Sequence, residues 1–403
     1  MEIGAALIGT GFMGKAHALA YRNVRAVMGD LPGVRLVTLV DTPEAKAEAM
    51  AAQFGFEAAT ADWRAVLTDP RVQLVSITTP NGLHREMAEA CLAAGKHVWC
   101  EKPMALTLED ARSMVEAARA RGLVTQLGYN YTANPAFIHA CRLVAGGEIG
   151  RVVQVRGWVD EDYQADPDLP WSRRAKVQDA GLGALGDIGC HLISLLTGLA
   201  GPLDSVVGEM ETIHKTRPLP DGSGRAEVEN EDCASALLTF ASGVKGTFTA
   251  SRSAWGRKSR LGFEVHGTEG MVIYDQERMN ELQLYQNRGD RAKAGFVTIL
   301  TSPEHAPYGA FCPAPGHQLG FNDLKVIEAA GLLRAIRDGG RAPLDFTAGL
   351  EIEKAIHAIA LSAREGRRVR LGEVWAPNPQ PCAAFRKASY SSSLTGTTCS
   401  GAG

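Results

Sequence analysis

The strongest constraint on the fold lies at the amino terminus. Ala5-Ala6-Leu7-Ile8 reads as a short buried strand, Gly9-Thr10-Gly11-Phe12-Met13-Gly14 fits G-x-G-x-x-G, and Lys15 to Val27 reads as a helix. A glycine-rich turn by itself says little, because such turns are common. Between a strand and a helix it has a physical task. Gly9 permits the tight turn, Gly11 lets the backbone approach a pyrophosphate, and Gly14 lets helix and strand pack closely. The unpaired N–H groups at the helix start, in the turn that carries Phe12 and Met13, then face the phosphates.

The second strand, Val34 to Val40, ends in Asp41. An acid there can accept both ribose hydroxyls of an adenosine and repels a 2′-phosphate, so it favours NAD over NADP. Gly9 and Asp41 are further apart than the usual spacing of about 20 residues. The turn-rich segment from Met28 to Gly33 accounts for the excess. The plainer alternative for Asp41 is a solvated cap on the helix that Thr42-Pro43-Glu44 begins.

Glu101-Lys102-Pro103 follows the apolar run His97-Val98-Trp99-Cys100. The carboxyl end of a buried strand is where an open α/β sheet places its ligand crevice. An ammonium is costly to bury there unless a ligand oxygen uses its charge. A Lys-Pro pair after a strand is otherwise an ordinary loop.

At 403 residues the chain is long enough for two domains with large cores. Strands and helices alternate up to about residue 150: helices at Ala45–Phe54, Leu83–Ala94 and Leu108–Arg121, strands at Val72–Thr79, His97–Cys100 and Val124–Gly128. That is a doubly wound parallel sheet. From Gly150 onward strands dominate: Arg151–Val159, Ala234–Phe240, Val244–Ala250, Leu261–His266, Met271–Tyr274 and Glu281–Tyr285, with hairpin turns at Ser242-Gly243 and Gly267-Thr268-Glu269-Gly270. Helices return at Asn322–Asp338 and Gly349–Glu365. This half reads as α+β with an open, mainly antiparallel sheet.

The expected division is therefore a nucleotide-binding Rossmann domain over 1–130 and a substrate-binding and oligomerisation domain over 131–372. The carboxy-terminal helices are expected to pack back on the first domain. The low-complexity stretch 376–403 is expected to be disordered.

Lys plus Arg number 42 against 45 Asp plus Glu, a net charge of −3 that gives no electrostatic case for nucleic acid or an anionic membrane. No basic segment precedes the first apolar run, and no uninterrupted apolar run approaches bilayer length. The eight cysteines are scattered without a C-x-x-C pair, which reads as reduced thiols in the cytoplasm and not as a disulfide frame or zinc site.

Gly183-Ala184-Leu185-Gly186-Asp187-Ile188-Gly189-Cys190-His191 is the third chemical feature. In a helix starting at the glycines, Ile188, Leu192, Leu195 and Leu199 form a core stripe, and Asp187 and His191, four apart, share the adjacent face. Two such groups without a third ligand are thin evidence for a metal, and none is expected. Taken alone they also fit an acid at a helix start and a surface histidine.

The glycine loop, Thr79-Pro80-Asn81 with His84, Glu101-Lys102-Pro103 and the G-x-L-x-D-x-x-x-H run together resemble the Gfo/Idh/MocA family of sugar and cyclitol dehydrogenases. The resemblance covers roughly residues 3 to 372. Gly11 to His17, Asn130-Tyr131, His266 to Gly270 and Pro307-Tyr308-Gly309 resemble those members that act on anhydrosugars and glycosides, in some cases at ring carbon 3. The family implies nucleotide contacts by Thr79, Asn81, His84 and Glu101, with Lys102, Asp187 and His191 as the catalytic group. It also implies a homodimer or homotetramer formed through the second sheet. Neutral His191 would take the hydroxyl proton, and Lys102 would stabilise the developing alkoxide. A small carbohydrate needs converging hydrogen-bonders and an aromatic wall, for which Asn130, Asp162, Tyr163, Trp171, Arg173 and Tyr308 are candidates. An inositol dehydrogenase, a non-catalytic NAD(P)-binding sensor, and a glycosidase that uses NAD transiently are the rival readings.

Overall fold

The structure, a computed structural model, describes residues 2–375. The tail expected to be disordered, 376–403, lies outside the described residues.

Six parallel strands form the first sheet: β1 (Glu2–Ile8), β2 (Gly33–Val40), β3 (Ala58–Thr60), β4 (Leu74–Ile77), β5 (His97–Cys100) and β6 (Thr125–Leu127). Their order is β3-β2-β1-β4-β5-β6. β1 is covered on both faces, so Ala5, Ala6 and Leu7 are fully buried and its sequence is a continuous apolar run. Strand order reverses between β1 and β4, which opens a crevice at their carboxyl ends. The glycine loop, Thr79 and Lys102 all leave the sheet on that edge.

The first helix is Phe12–Met28, and Gly29 ends it with φ +72. The segment expected as an insertion is a short turn held from outside. Leu31 is buried, and Arg337 Nη1 donates to Asp30 O at 2.9 Å. Arg337 belongs to the helix Phe321–Asp338, which packs its Val326, Ala329 and Leu333 into one core with Ile3, Tyr21 and Leu74.

The second sheet has nine strands, in the order Val297–Leu300, Glu281–Gln286, Gly270–Asp275, Arg260–Gly267, Val152–Asp160, Lys245–Ser251, Cys233–Phe240, Leu203–Glu211 and Val369–Arg370. Neighbours are antiparallel except Lys245–Ser251 with Val152–Asp160. The helix Cys190–Ala200 lies directly on one face; a Cβ at Gly157 would sit 2.7 Å from Leu192 Cδ1. The opposite face is open, with Leu237 57% exposed.

Both expected hairpin turns form, with Gly243 at φ +85. Sequence reasoning missed the strand Leu203–Glu211, in which Asp204, Glu209 and Glu211 are exposed and Gly208 breaks the run of buried apolar side chains. It also missed the helix Pro135–Ala145, although Asn134 caps it and Pro135 starts it. Val177–Ala200 has the length and apolarity of a membrane span, yet 78% of its 18-residue apolar window is buried inside the protein.

Candidate active site

The glycine loop is shaped by contact on two sides and open on the third. Gly9 has φ +97, and a Cβ there would sit 2.7 Å from Thr78 O. A Cβ on Gly14 would sit 2.2 Å from Gly9 O, whereas one on Gly11 would meet nothing within 4 Å. No side chain caps the helix that begins at Phe12, so its first N–H groups remain available to phosphate oxygens. Asp41 accepts from Thr10 N at 2.9 Å, from the Thr10 hydroxyl, and from Thr42 N at 2.6 Å. Burial works against its charge, but Thr10 and the Lys46 ammonium 2.9 Å away hold its pKa below the usual range. The residues present fit an NAD-type dinucleotide. Lys46, 2.9 Å from Asp41, is a group that would tolerate a 2′-phosphate.

Three residues expected at the nucleotide make contacts within the protein. His84 is fully buried, with Nδ1 2.9 Å from Pro103 O and Nε2 3.0 Å from Thr79 O. Both neighbours are acceptors, so a neutral ring can donate to only one of them. His84 thus ties the loop after β4 to the loop after β5 and presents no free nitrogen to a ligand. Thr79 shares that tie through its carbonyl, while its hydroxyl lies 3.7 Å from Met87 Sδ. Asn81 Nδ2 donates to Ala180 O at 3.2 Å, joining the first sheet's loop to the segment before Asp187.

Glu101 is also turned inward. Its Oε1 lies 2.6 Å from Lys325 Nζ and 2.9 Å from His17 Nε2. Lys325 is fully buried, on the helix Phe321–Asp338, and lies 2.8 Å from Glu328 Oε2 but outside hydrogen-bonding alignment with it. His17 continues to Ser76 Oγ at 3.0 Å, which Tyr21 Oη meets at 2.6 Å. Burial would raise the Glu101 pKa, but the Lys325 charge holds it well below the carboxylate range. Burial lowers His17 to about 4, so the ring is neutral. Sequence reasoning missed Lys325 because a lone lysine in an amphipathic helix reads as surface.

Lys102, next in the chain, points the other way. Its Nζ donates to Asp187 Oδ1 at 3.0 Å and to Asp187 O at 2.6 Å. Tyr163 Oη donates to Asp187 Oδ2 at 2.7 Å, and Arg174 Nη1 stands 3.6 Å from the same oxygen. Asp187 keeps 31% of its side chain open and Lys102 keeps 17%, so a small ligand can reach both. Burial opposes each charge, but the pair more than restores it: Lys102 is held above the lysine range and Asp187 well below the carboxylate range. Both stay ionised.

The expected helix around Asp187 is a π-helical turn, Leu185–Gly189, that runs into Cys190–Ala200. Glu231 fixes its start by accepting from Gly183 N and Leu185 N, each at 2.9 Å. A Cβ at Gly183 would sit 1.9 Å from Glu231 O, so glycine is required for that approach. His191 is not a surface residue. It is 7% exposed and wedged between Tyr131, at 4.8 Å between ring centres, and Tyr129, at 5.5 Å. Burial and the Lys102 charge push its pKa well below the imidazole value, so the ring is neutral. Its Nδ1 is buried without a partner, which leaves Nε2 as the nitrogen a ligand can reach.

Of the carbohydrate candidates, the structure brings Tyr163 to Asp187 and buries Asn130 with its Nδ2 unpartnered. The rest are placed elsewhere. Trp171 donates Nε1 to Glu227 O at 2.9 Å beside the small pair of strands Thr216–Pro218 and Arg225–Glu227. Arg173 reaches Asp179 at 3.3 Å; in a 3-10 turn consecutive side chains diverge, and Arg174 takes the place expected of it. Tyr308 is fully buried, with its hydroxyl on the carbonyls of Ala314 and His317. Asp162 is held by Lys258 Nζ at 2.6 Å. Glu161, which the sequence did not single out, is raised to about 7 by burial and by Asp187. Phe12 lies tilted against Phe321 at 5.3 Å between ring centres, and Phe321 meets Tyr131 at 6.1 Å, so an aromatic run links the glycine loop to His191. Among the described residues no group of three or more His, Cys, Asp or Glu is placed to hold a metal ion.

A crevice for a dinucleotide beside a lysine, an aspartate and a neutral histidine defines an oxidoreductase of the NAD-binding Rossmann type. Residues 3–129 match the oxidoreductase family with that fold, and residues 137–273 match the GFO/IDH/MocA C-terminal domain. The chain belongs to the Gfo/Idh/MocA family. It is 37% identical over 394 residues to levoglucosan dehydrogenase of Pseudarthrobacter phenanthrenivorans, covering 94% of this chain and 99% of that one. It is 28% identical to scyllo-inositol 2-dehydrogenase (NAD(+)) of Bacillus subtilis, covering 92% and 96%. Among solved structures, levoglucosan dehydrogenase in complex with NADH and L-sorbose superposes with a TM-score of 0.90 at 36% identity, covering 93% of this chain and all of that one.

Proposed function

We propose that this protein oxidises a secondary hydroxyl of a cyclic anhydrosugar or glycoside, at ring carbon 3, and that levoglucosan is within its substrate range. The observation that carries the reading is the Lys102–Asp187 contact of 3.0 Å, set beside a neutral, ring-flanked His191 at the carboxyl edge of the first sheet. Bound NAD supplies the hydride acceptor. Its phosphates would be held by the loop Gly9–Gly14 and its adenosine ribose by Asp41.

The chain's own groups divide the rest of the work. His191 Nε2 takes the hydroxyl proton, for which a neutral imidazole is required. The Lys102 ammonium, fixed by two bonds to Asp187, is preorganised toward the oxygen that gains negative charge. Asp187, oriented by Tyr163, accepts from a neighbouring hydroxyl. Tyr131 and Tyr129 flank His191 and exclude water from it.

A cyclitol is the second reading, favoured by the similarity to an inositol dehydrogenase. A non-catalytic sensor would have no use for an intact Lys102, Asp187 and His191. The remaining parts of the reading are a cytoplasmic enzyme, a division into 1–130 for the cofactor and 131–372 for the substrate, and homo-oligomerisation through the open face of the nine-stranded sheet. Initial rates of NADH formation on a panel of anhydrosugars, glucosides and inositols test the function. Turnover of an anhydrosugar or glucoside supports it, turnover of inositols alone selects the second reading, and no turnover of any of them removes both.

A further inference from the structure

The charges buried beneath the glycine loop do more than hold the core together. Glu101, His17 and Lys325 are all buried, and the reaction as described uses none of them. Desolvating two charges offsets most of their attraction, so a well-packed apolar pair would stabilise the core as well. What a hydrogen-bonded ion pair adds is a fixed direction.

The directions follow from what each group can donate. Ionised Glu101 only accepts, so His17 donates from Nε2 at 2.9 Å, and its Nδ1 accepts from the Ser76 hydroxyl at 3.0 Å. Ser76 Oγ in turn accepts from the Tyr21 hydroxyl at 2.6 Å. The His17 ring is stacked on Trp99 at 3.7 Å between centres, and Lys325 Nζ lies 5.4 Å from the centre of the same indole. Behind the carboxylate there is no slack, since a Cβ at Gly128 would sit 2.2 Å from Glu101 Oε1. The other oxygen, Oε2, accepts from Lys102 N at 3.3 Å.

Each arm of this junction carries a different part of the site. His17 stands one turn after Gly14, on the helix that the glycine loop opens. Lys325 stands one turn after Phe321, whose ring meets both Phe12 and Tyr131. Glu101 is the residue before Lys102, whose ammonium is fixed on Asp187.

We propose that Glu101, clamped by Lys325 and His17, is a positioning residue. It fixes the main chain of Lys102 against the helix that carries the glycine loop, and so sets the separation across which the hydride passes. The proposal rests on the reading of Lys102 as the group that stabilises the alkoxide. Glu101 itself moves no proton and no hydride. Its effect is on distance, and a misplacement of about 1 Å can cost about a hundredfold in rate.

Glu101→Gln separates this role from folding. Two donors point at Oε1, so the amide oxygen takes that place and turns the NH2 group toward Lys102 N, a second donor. Lys325 keeps a charged partner. Burial raises Glu328, 2.8 Å from Lys325 Nζ, to about 7 against the pull of Lys325, and the Glu101 charge adds to the rise. Without that charge Glu328 ionises and takes over the pairing.

The variant should fold and bind NAD with unchanged affinity. Its kcat on the fastest sugar of the panel should fall about ten- to a hundredfold, and the primary isotope effect from deuterium at the oxidised carbon should rise. A loss of folded protein lowers kcat but cannot change an isotope effect. Lys325→Met combined with Glu101→Gln, which removes both charges together, should raise the isotope effect as well. The Lys102 amide should be protected from hydrogen exchange in the unaltered protein and exchange much faster in Glu101→Gln. A wild-type isotope effect in either variant would overturn the proposal, as would equal exchange of the Lys102 amide in Glu101→Gln and the unaltered protein. If the unaltered protein makes no NADH from any sugar, the dehydrogenase reading fails instead, and the amide exchange still decides whether Glu101 holds the Lys102 main chain.

Discussion

Lys102 grips Asp187 at two points, the carboxylate Oδ1 at 3.0 Å and the main-chain oxygen at 2.6 Å. One residue ends a strand of the parallel sheet and the other sits in the π-helical turn that faces it. The double contact fixes the position of the charge as well as its sign. That is the condition under which an ammonium stabilises a developing oxyanion without reorganising.

Lys102→Ala should therefore cost about a hundred- to a thousandfold in kcat. NAD binding, which draws on the loop Gly9–Gly14 and Asp41, should persist. NADH absorbance gives the first quantity and calorimetric titration with NAD the second. Near-normal turnover would transfer the role to another group.

Asp41→Ala should narrow the preference for NAD over NADP. The carboxylate is held ionised by Thr10 and Lys46, where it would repel a 2′-phosphate. Removing it leaves Lys46 unopposed. Comparing kcat/KM for the two cofactors in both proteins measures the change, and tighter use of NADP by the unaltered protein would contradict it.

What the sequence revealed follows from how local each signal is. The strand, glycine turn and helix at the amino terminus and the period-two strands depend on neighbours within a few residues, and they form as expected. Lys102 and His191 were legible as chemistry because their flanking glycines and proline are unusual. The buried contacts of His84, Glu101 and Tyr308 were not legible for one common reason. Their partners are Pro103, Lys325 and His317, and only the folded chain brings Lys325 beneath Glu101, across 224 residues. Arg173 and Arg174 could not be told apart without the turn that points them in different directions.

The buried Lys325–Glu101 pair yields a stability prediction. Lys325→Met leaves the Glu101 charge buried with a neutral His17 and the Lys102 amide as its remaining partners, and should cost about 3–5 kcal/mol in urea denaturation. Adding Glu101→Gln removes the stranded charge and should recover much of that loss. Equal losses in the single and double variants would show that packing, not charge, governs the site.

The pH dependence has a definite sign. Protonating His191 removes the base, so oxidation falls as pH drops through its pKa, and that pKa lies well below 6.5. The acid limb should thus sit below the ordinary imidazole range and vanish in His191→Asn. Ketone reduction, which needs the protonated ring, should rise over the same interval. Lys102 is held above the lysine range and stays charged throughout, so it does not compete as the base. Burial raises both Glu161 and Glu328 to about 7, so an inflection near pH 7 that disappears in Glu161→Gln belongs to Glu161, and one that persists belongs elsewhere.

The most direct test of the account is to follow a label from substrate to cofactor. Levoglucosan carrying deuterium at ring carbon 3 is incubated with the protein and NAD, and the nicotinamide product is weighed by mass spectrometry. The account predicts reduced cofactor that carries the deuterium, with slower formation than from unlabelled sugar. Unlabelled NADH would contradict oxidation at carbon 3, and no NADH from levoglucosan or from any other sugar would contradict the assignment of Lys102, Asp187 and His191 as a dehydrogenase site.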